Sequence, residues 1–280
     1  MTITENRFQH FKALHETGRA FVVANAWDAG SAILLSSLGF EALATTSAGY
    51  AFSVGKRDSF SALGREEILA NAAAIVSATE LPVSGDLEDG FGPMPEACQR
   101  TIRDAMAIGL VGGSIEDATG NPDAPIFERG LAVDRIRASV EAARGKPFLV
   151  TARAENYVWG RPDLADTIDR LQAYAEAGAD VLFAPGLPDL ASIRSVCAAV
   201  DKPVNVVMGL SGRHFSTRDL AEAGVTRISV GGSFARAAMG AIMRAGREVL
   251  NEGTFTYAAQ AVPDAVASAL MSQAQPFKDP

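Results

Sequence analysis

The sequence is poor in the residues that most often carry chemistry unaided. Among 280 residues there are two cysteines and three histidines. Cys98 and Cys197 sit in helix-like segments with no CxxC or Cys/His spacing. That excludes a cysteine-built metal site or a disulfide framework and leaves buried apolar thiols. His10 and His15 fall in one N-terminal helical stretch and read as surface or packing residues. His214 lies in a late loop without a sequence partner for acid–base work. Positive charge is not in surplus: 25 Lys and Arg stand against 33 Asp and Glu, a formal net charge of −8. With no basic stripe interleaved with aromatics, nucleic acid is not an expected partner. No uninterrupted apolar run reaches membrane-spanning length. Residues 1–7 lack the basic and apolar regions of a signal peptide. These absences predict a cytoplasmic protein with no membrane partner. Gly-x-Ser-x-Gly, Walker and HExxH motifs are also missing.

What the chain has instead is a repeated grammar. Hydrophobic residues make up 48% of it, enough for a large core. One phrase ends a helix on glycine and begins a strand at once, in Leu38-Gly39-Phe40, Ile108-Gly109-Leu110, Ala177-Gly178-Ala179 and Ala223-Gly224-Val225. Glycine in the left-handed conformation stops a helix at such a point. A second phrase sets proline at a strand start, in Leu81-Pro82-Val83, Lys146-Pro147-Phe148 and Lys202-Pro203-Val204, where its missing N–H is tolerated. These strands, with Phe21-Val22-Val23-Ala24 in front, alternate with amphipathic stretches such as 65–79, 95–108, 163–177 and 187–200. Alternation of this kind means a parallel sheet with crossovers. Eight units predict an α/β fold, a (β/α)8 TIM-type barrel. A doubly wound open sheet is the alternative, but Asn25-Ala26-Trp27-Asp28-Ala29-Gly30 is not the Gly-rich loop it needs. Residues 4–17 predict an extra N-terminal helix. The expected organisation is a single domain over 1–280, with the barrel at about 20–253 and a C-terminal helical appendage at 254–280 whose end is frayed.

In such a barrel, active sites sit at the C-terminal ends of the strands. Acids stand out there. One strand ends in Ser84-Gly85-Asp86-Leu87-Glu88, and period two sets Asp86 and Glu88 on one face. The next ends in Ser114-Ile115-Glu116-Asp117, and Asp58 follows the second strand. Acids at successive strand exits are costly unless a cation neutralises them. Hard divalent ions prefer carboxylate oxygens, and Mg²⁺ uses only one or two directly. Asp86 is therefore the expected direct ligand of Mg²⁺, with Mn²⁺ as its substitute. Glu88, Glu116 and Asp58 would hold the ion's water. Helix capping or pairing with Arg153 is the structural alternative for any one acid. Arg153 ends Val150-Thr151-Ala152-Arg153 at the same mouth. It offers a fork to a substrate carboxylate, or an ion pair to Glu116 or Glu155. Asn25, Trp27, Asp28, Thr45, Thr46, Ser47 and Asn205 are further strand-end residues. Gly231-Gly232-Ser233 leads into a helix carrying Arg236, as an anion site or a plain tight turn. The 118–128 loop, with Gly120, Pro122 and Pro125, reads as a lid.

Three stretches in order, Asp86-Leu87-Glu88-Asp89-Gly90-Phe91-Gly92, Ser114-Ile115-Glu116-Asp117 and Thr151-Ala152-Arg153-Ala154-Glu155, resemble the phosphoenolpyruvate mutase/isocitrate lyase superfamily over about residues 25–253. The resemblance implies Mg²⁺ at Asp86, with Glu88, Glu116 and Asp58 in the outer shell. It implies that Thr46, Ser47 and Ala48 hold the oxo-acid end of a substrate through backbone amides, and that Arg153 contacts the substrate or the developing enolate. Asn205 and Arg236 would bind the distal part of a small carboxylate substrate. A homo-oligomer, tetramer or dimer, is implied as well. The superfamily's isocitrate and methylisocitrate lyases carry a Lys-Lys-Cys-Gly-His gate after the fourth strand. Here that segment, 118–127, has no cysteine, lysine or histidine. The expected activity is Mg²⁺-dependent C–C cleavage or decarboxylation of a small 2-oxo or 2-hydroxy acid through an enolate, with Asp58, Arg153 and Glu116 as catalytic residues. The proton donor is bound water, Asp58 or the 118–128 loop. Alternatives are a P–C mutase or hydrolase, hydroxymethyl transfer, or a non-catalytic oxo-acid-binding barrel.

Overall fold

The computed structural model describes residues 2–59, 62–210 and 212–272. Eight parallel strands close into a barrel in chain order. They are β1 (Phe21–Ala26), β2 (Leu43–Thr45), β3 (Val83–Asp86), β4 (Gly112–Glu116), β5 (Leu149–Arg153), β6 (Val181–Phe183), β7 (Val204–Val207) and β8 (Arg227–Ser229). Around them run α1 (Ile3–Glu16), α2 (Ala29–Ser37), α3 (Ser47–Ser53), α4 (Arg65–Ser77), α5 (Pro95–Ala107) and α6 (Arg129–Ala143). Then follow α7 (Leu164–Glu176), α8 (Leu190–Ala199), α9 (Thr217–Glu222), α10 (Ser233–Glu252) and α11 (Asp264–Met271). The expected (β/α)8 barrel is the fold. No helix among the described residues is long and apolar enough to cross a membrane.

The punctuation works as its chemistry requires. Gly39, Gly109, Gly178 and Gly224 all have φ between 89° and 100°, the left-handed conformation that ends a helix without a Cβ penalty. Pro82 and Pro203 stand just before β3 and β7. Their carbonyls accept from Leu43 and Leu182 at 2.9 Å, so each still serves the ladder on the side that needs no N–H.

Helix α1 crosses the N-terminal end of the barrel. Phe11 and Leu14 are buried there with Phe21, Val23, Val111 and Leu149. His15 joins this plug, its ring edge-on to Phe11 and Phe21. Its Nδ1 lies 2.8 Å from the Phe11 carbonyl. Burial and Arg227 push its pKa down to about 3, so the ring is neutral. At the other end of the chain, α10 buries little besides Ala235. After Gly253 a 3₁₀ turn (Thr256–Gln260) leads to α11, which returns to pack on α2. The appendage is thus helical as far as Met271; the expected fraying at the end falls on residues outside those described.

Candidate active site

The strand ends open into a cavity of about 550 Å³. Asp58, Asp86, Glu88, Glu116 and Arg153 line it, as do Thr46, Ser47, Ala48, Asn205 and Arg236. Strand register explains much of this convergence. Asp86 pairs with Ser114 across β3–β4, and Glu116, two residues beyond Ser114, with Arg153 across β4–β5, so period two turns all four toward the barrel interior.

Asp86 is held from two sides. Its Oδ2 accepts from the Ser47 amide at 3.0 Å and from Ser47 Oγ at 2.9 Å. Its own N–H donates to Thr45 Oγ1 at 2.8 Å. The Ser47 amide is therefore committed to Asp86, which corrects the expectation that it faces a substrate. Arg153 sits among the acids: Nη1 is 3.2 Å from Glu116 and 3.7 Å from Asp86, and Nε binds Glu155. Its guanidinium also lies over the Phe183 ring at 5.1 Å. Burial alone would weaken its hold on the proton, but Glu155, Glu116 and Asp86 outweigh that and raise its pKa.

Five carboxylates (Asp58, Asp86, Glu88, Glu116 and Glu155) reach this cavity, and only Arg153 pairs with any of them among the described residues. Negative charge is in excess, and the acids respond. Burial, then Asp86, Asp89 and Asp58, pushes Glu88 up to about 8. Burial drives Glu116 well above the usual carboxylate range against the pull of Arg153. Partial burial and the Asp86 carboxylate raise Asp58, which stands exposed on the rim. Such a field favours an added cation. The donors are all hard oxygens, suited to a Mg²⁺-like ion. Among the described residues no three acids converge as a closed metal cage, so the fit is to an ion that keeps most of its water.

Several expectations change. The strand stops at Asp86, and Glu88 has φ 48°, so it reaches the cavity through a left-handed turn rather than by strand alternation. The 118–128 loop does not cover this mouth. Thr119 donates to the Pro125 carbonyl and Ala118 bridges Ile126, folding the loop on itself, and none of its residues lines the cavity. Asp117 turns away, taking bonds from Tyr174 Oη at 2.6 Å, Arg170 at 3.0 Å and the Glu155 amide at 2.8 Å. Asp28 caps α2. Asn25 is a clamp: its Oδ1 accepts from Val230 and Gly231, both at 2.9 Å, and its Nδ2 donates to Thr45. His214 is exposed and, among the described residues, reaches only the Leu210 carbonyl.

The cavity also has an apolar lining with no signal in the sequence, formed by Phe52, Val158, Trp159, Phe183 and Leu210. Ser84, Ser114 and Arg227 line it as well and were not among the expected site residues. Ser84 and Ser114 each lie two residues before an acid already singled out, and that spacing was a usable signal.

The profile of the phosphoenolpyruvate phosphomutase family matches residues 11–250. The chain belongs to this family, within the phosphoenolpyruvate mutase/isocitrate lyase superfamily. A crystal structure of a Burkholderia cenocepacia J2315 protein, provisionally assigned as a lyase/mutase, superposes with a TM-score of 0.95 at 51% identity over 98% of each chain. An uncharacterized protein of Mycobacterium tuberculosis is 35% identical over 225 residues, 79% of this chain and 81% of its own. The 2-methylisocitrate lyase of Escherichia coli is 31% identical over 210 residues, 69% of this chain and 70% of its own. Lyases and a decarboxylase both occur among the relatives, so membership spans more than one reaction.

Proposed function

We propose that the protein is a Mg²⁺-dependent carbon–carbon lyase that cleaves or decarboxylates a small 2-oxo or 2-hydroxy carboxylic acid, releasing a pyruvate-type enolate. The observation that carries this reading is the Ser47-braced Asp86 carboxylate beside Arg153 and Glu116 in a mouth with excess negative charge. Asp86 would hold the ion, with Glu88, Glu116 and Asp58 around its water. Bound there, Mg²⁺ supplies Lewis-acid polarisation of the substrate's oxo and carboxylate oxygens.

The chain's own groups do the rest. Arg153, locked by Glu116 and Glu155, presents a fixed guanidinium to the charge that develops on the enolate oxygen. Thr46 and Ala48 border the oxo-acid end, Asn205 and Arg236 the distal end. Phe52, Trp159 and Phe183 keep water from the opposite wall. Asp58, on the rim and in exchange with solvent, holds the proton for the enolate carbon at its carboxyl. The working form is a homo-oligomer that covers the apolar residues of α10.

The test is pyruvate release from oxaloacetate, 2-methylisocitrate and 2,3-dimethylmalate in Mg²⁺ and in EDTA. Turnover with one of them, lost in EDTA and in Asp86→Ala, supports the reading. Absence of pyruvate from all three, together with an unchanged Tm on adding Mg²⁺, overturns it.

A further inference from the structure

Below the acids the barrel interior is unusual. The inward positions of a β/α barrel are ordinarily filled by bulky branched side chains. Here Ala44, Ser84 and Ser114 stand at that level, and the cavity continues down past them to Arg227 at the start of β8.

Arg227 is only 5% exposed. No carboxylate lies within salt-bridge distance of it among the described residues. Its bonds all go to neutral groups: Nε donates to Asn205 Oδ1 at 2.9 Å and Nη2 to Thr151 Oγ1 at 3.0 Å. Nη1 lies 3.5 Å from His15 Nε2. The His15 Nδ1 proton is committed to the Phe11 carbonyl, so Nε2 is an acceptor and cannot carry the compensating charge. Burial alone lowers the Arg227 pKa, to about 9, with no anion opposing it. A guanidinium has five N–H groups, so two remain beyond these three contacts. A buried cation without a counter-charge is expensive. Asn205, Thr151 and His15 come from three separate elements to hold it in place. In the same cavity, Arg153 is wrapped by acids, whereas Arg227 lines the wall beside Ala44, Ser84 and Ser114 with no acid paired to it among the described residues.

We infer that Arg227, with Asn205 and Thr151, forms a buried binding site for a small monovalent anion, a carboxylate group or a halide, at the floor of the barrel beneath the acids. The site shares the cavity of the proposed reaction but uses neither its metal nor Asp86. Its two sources of ligand are the carboxylate of a substrate or product and a resident inorganic anion.

Crystals grown in sodium bromide and EDTA test it. An anomalous peak within hydrogen-bonding reach of the Arg227 guanidinium, absent in Arg227→Met, is expected. In solution, bromide is expected to raise Tm in the wild type and to lose potency by about tenfold or more in Arg227→Lys, since bonds to a charged group are at stake. Ser114→Val narrows the cavity while leaving Arg227 and its partners Asn205, Thr151 and His15 in the chain, and it too is expected to abolish the bromide peak. It keeps the test valid if Arg227→Met does not fold. Sodium oxalate, titrated in EDTA, separates the sources. Competition with bromide assigns the site to a ligand carboxylate, and independence assigns it to a resident anion. No peak at Arg227 in the wild type, with bromide responses equal in wild type and Arg227→Lys, overturns the inference and leaves Arg227 as a structural cation. Because no Mg²⁺ or turnover enters, failure of the lyase reading leaves this result intact, and the reverse also holds.

Discussion

Both hydrogen bonds to Asp86 Oδ2 come from one residue, Ser47, whose amide and hydroxyl lie 3.0 and 2.9 Å away. The N-terminus of α3 and the end of β3 are thereby locked together, and the carboxylate is oriented before any ligand arrives. Outer contacts of this kind change metal affinity by about 10–100-fold when removed. Ser47→Ala deletes the hydroxyl bond and keeps the amide. It is expected to weaken Mg²⁺ binding by about tenfold while costing about 1 kcal/mol of stability or less. Titrating Tm against Mg²⁺ measures both. Equal Mg²⁺ affinity in wild type and variant would strip Ser47 of this orienting role.

Arg153 is the one cation that touches the acids among the described residues. Removing one partner of a buried charge cluster typically costs about 3–5 kcal/mol. Arg153→Met is therefore expected to lose about that much stability in EDTA. A divalent cation replaces part of the missing charge, so the loss should shrink in Mg²⁺, while turnover stays abolished because the oxyanion partner is gone. Denaturant unfolding with and without Mg²⁺ gives the comparison. An identical loss under both conditions would mean that the acids do not share a field with the ion.

Glu88 carries a pH signature. Its carboxyl is raised from 4.5 to about 8, first by burial and then by Asp86, Asp89 and Asp58. The folded protein thus binds that proton more tightly than the unfolded chain. Its stabilising contribution is complete below 4.5 and is lost as pH rises toward 8. His15, pushed down from 6.5 to about 3, has the opposite slope, but only below 6.5. The window from pH 6.5 to 8 therefore excludes His15, and the raised Glu116 and Glu155 are common to both proteins compared there. There, in EDTA, wild-type stability should fall with pH more steeply than that of Glu88→Gln. Mg²⁺ must displace the same proton, so its affinity should climb across the window. Parallel slopes for the two proteins would show that Glu88 does not titrate there.

The barrel was readable because its punctuation is local. A glycine at φ near 90° or a proline at a strand start acts over a few residues, and period two then aims Asp86, Glu116 and Arg153 at one mouth. What escaped depends on partners far along the chain. Asp117 looks like one more strand-end acid, yet Tyr174 and Arg170, 57 and 53 residues on, hold it out of the cavity. The 118–128 loop has the glycine and prolines of a lid, but its own Ala118–Ile126 bridge folds it away. Phe52, Trp159 and Phe183 are single residues from three segments, with no period to join them. Arg227 announces nothing in sequence. Its meaning comes from the lack of an acid paired with it among the described residues, which only packing reveals.

Helix α10 is 20 residues long and has Ala235 as its one fully buried residue. Ile242 is 72% exposed and Leu250 85%, with Met239 and Met243 exposed beside them. Positions 239, 242, 243 and 250 recur at helical spacing, so they form one stripe. A contiguous apolar stripe facing water is costly and marks a protein–protein contact. It follows the Gly231-Gly232 turn that Asn25 clamps at the cavity, so a partner seated on α10 would also steady Arg236 at the mouth. Ile242→Glu places a charge in the middle of the stripe. It is expected to shift the protein to monomer by sedimentation and to lower Tm in a concentration-dependent way. It is also expected to raise KM more than it lowers kcat, since Arg236 binds substrate in the proposed reaction and does no chemistry there. A monomeric wild type, or a variant with unchanged mass and kinetics, would show that α10 needs no partner.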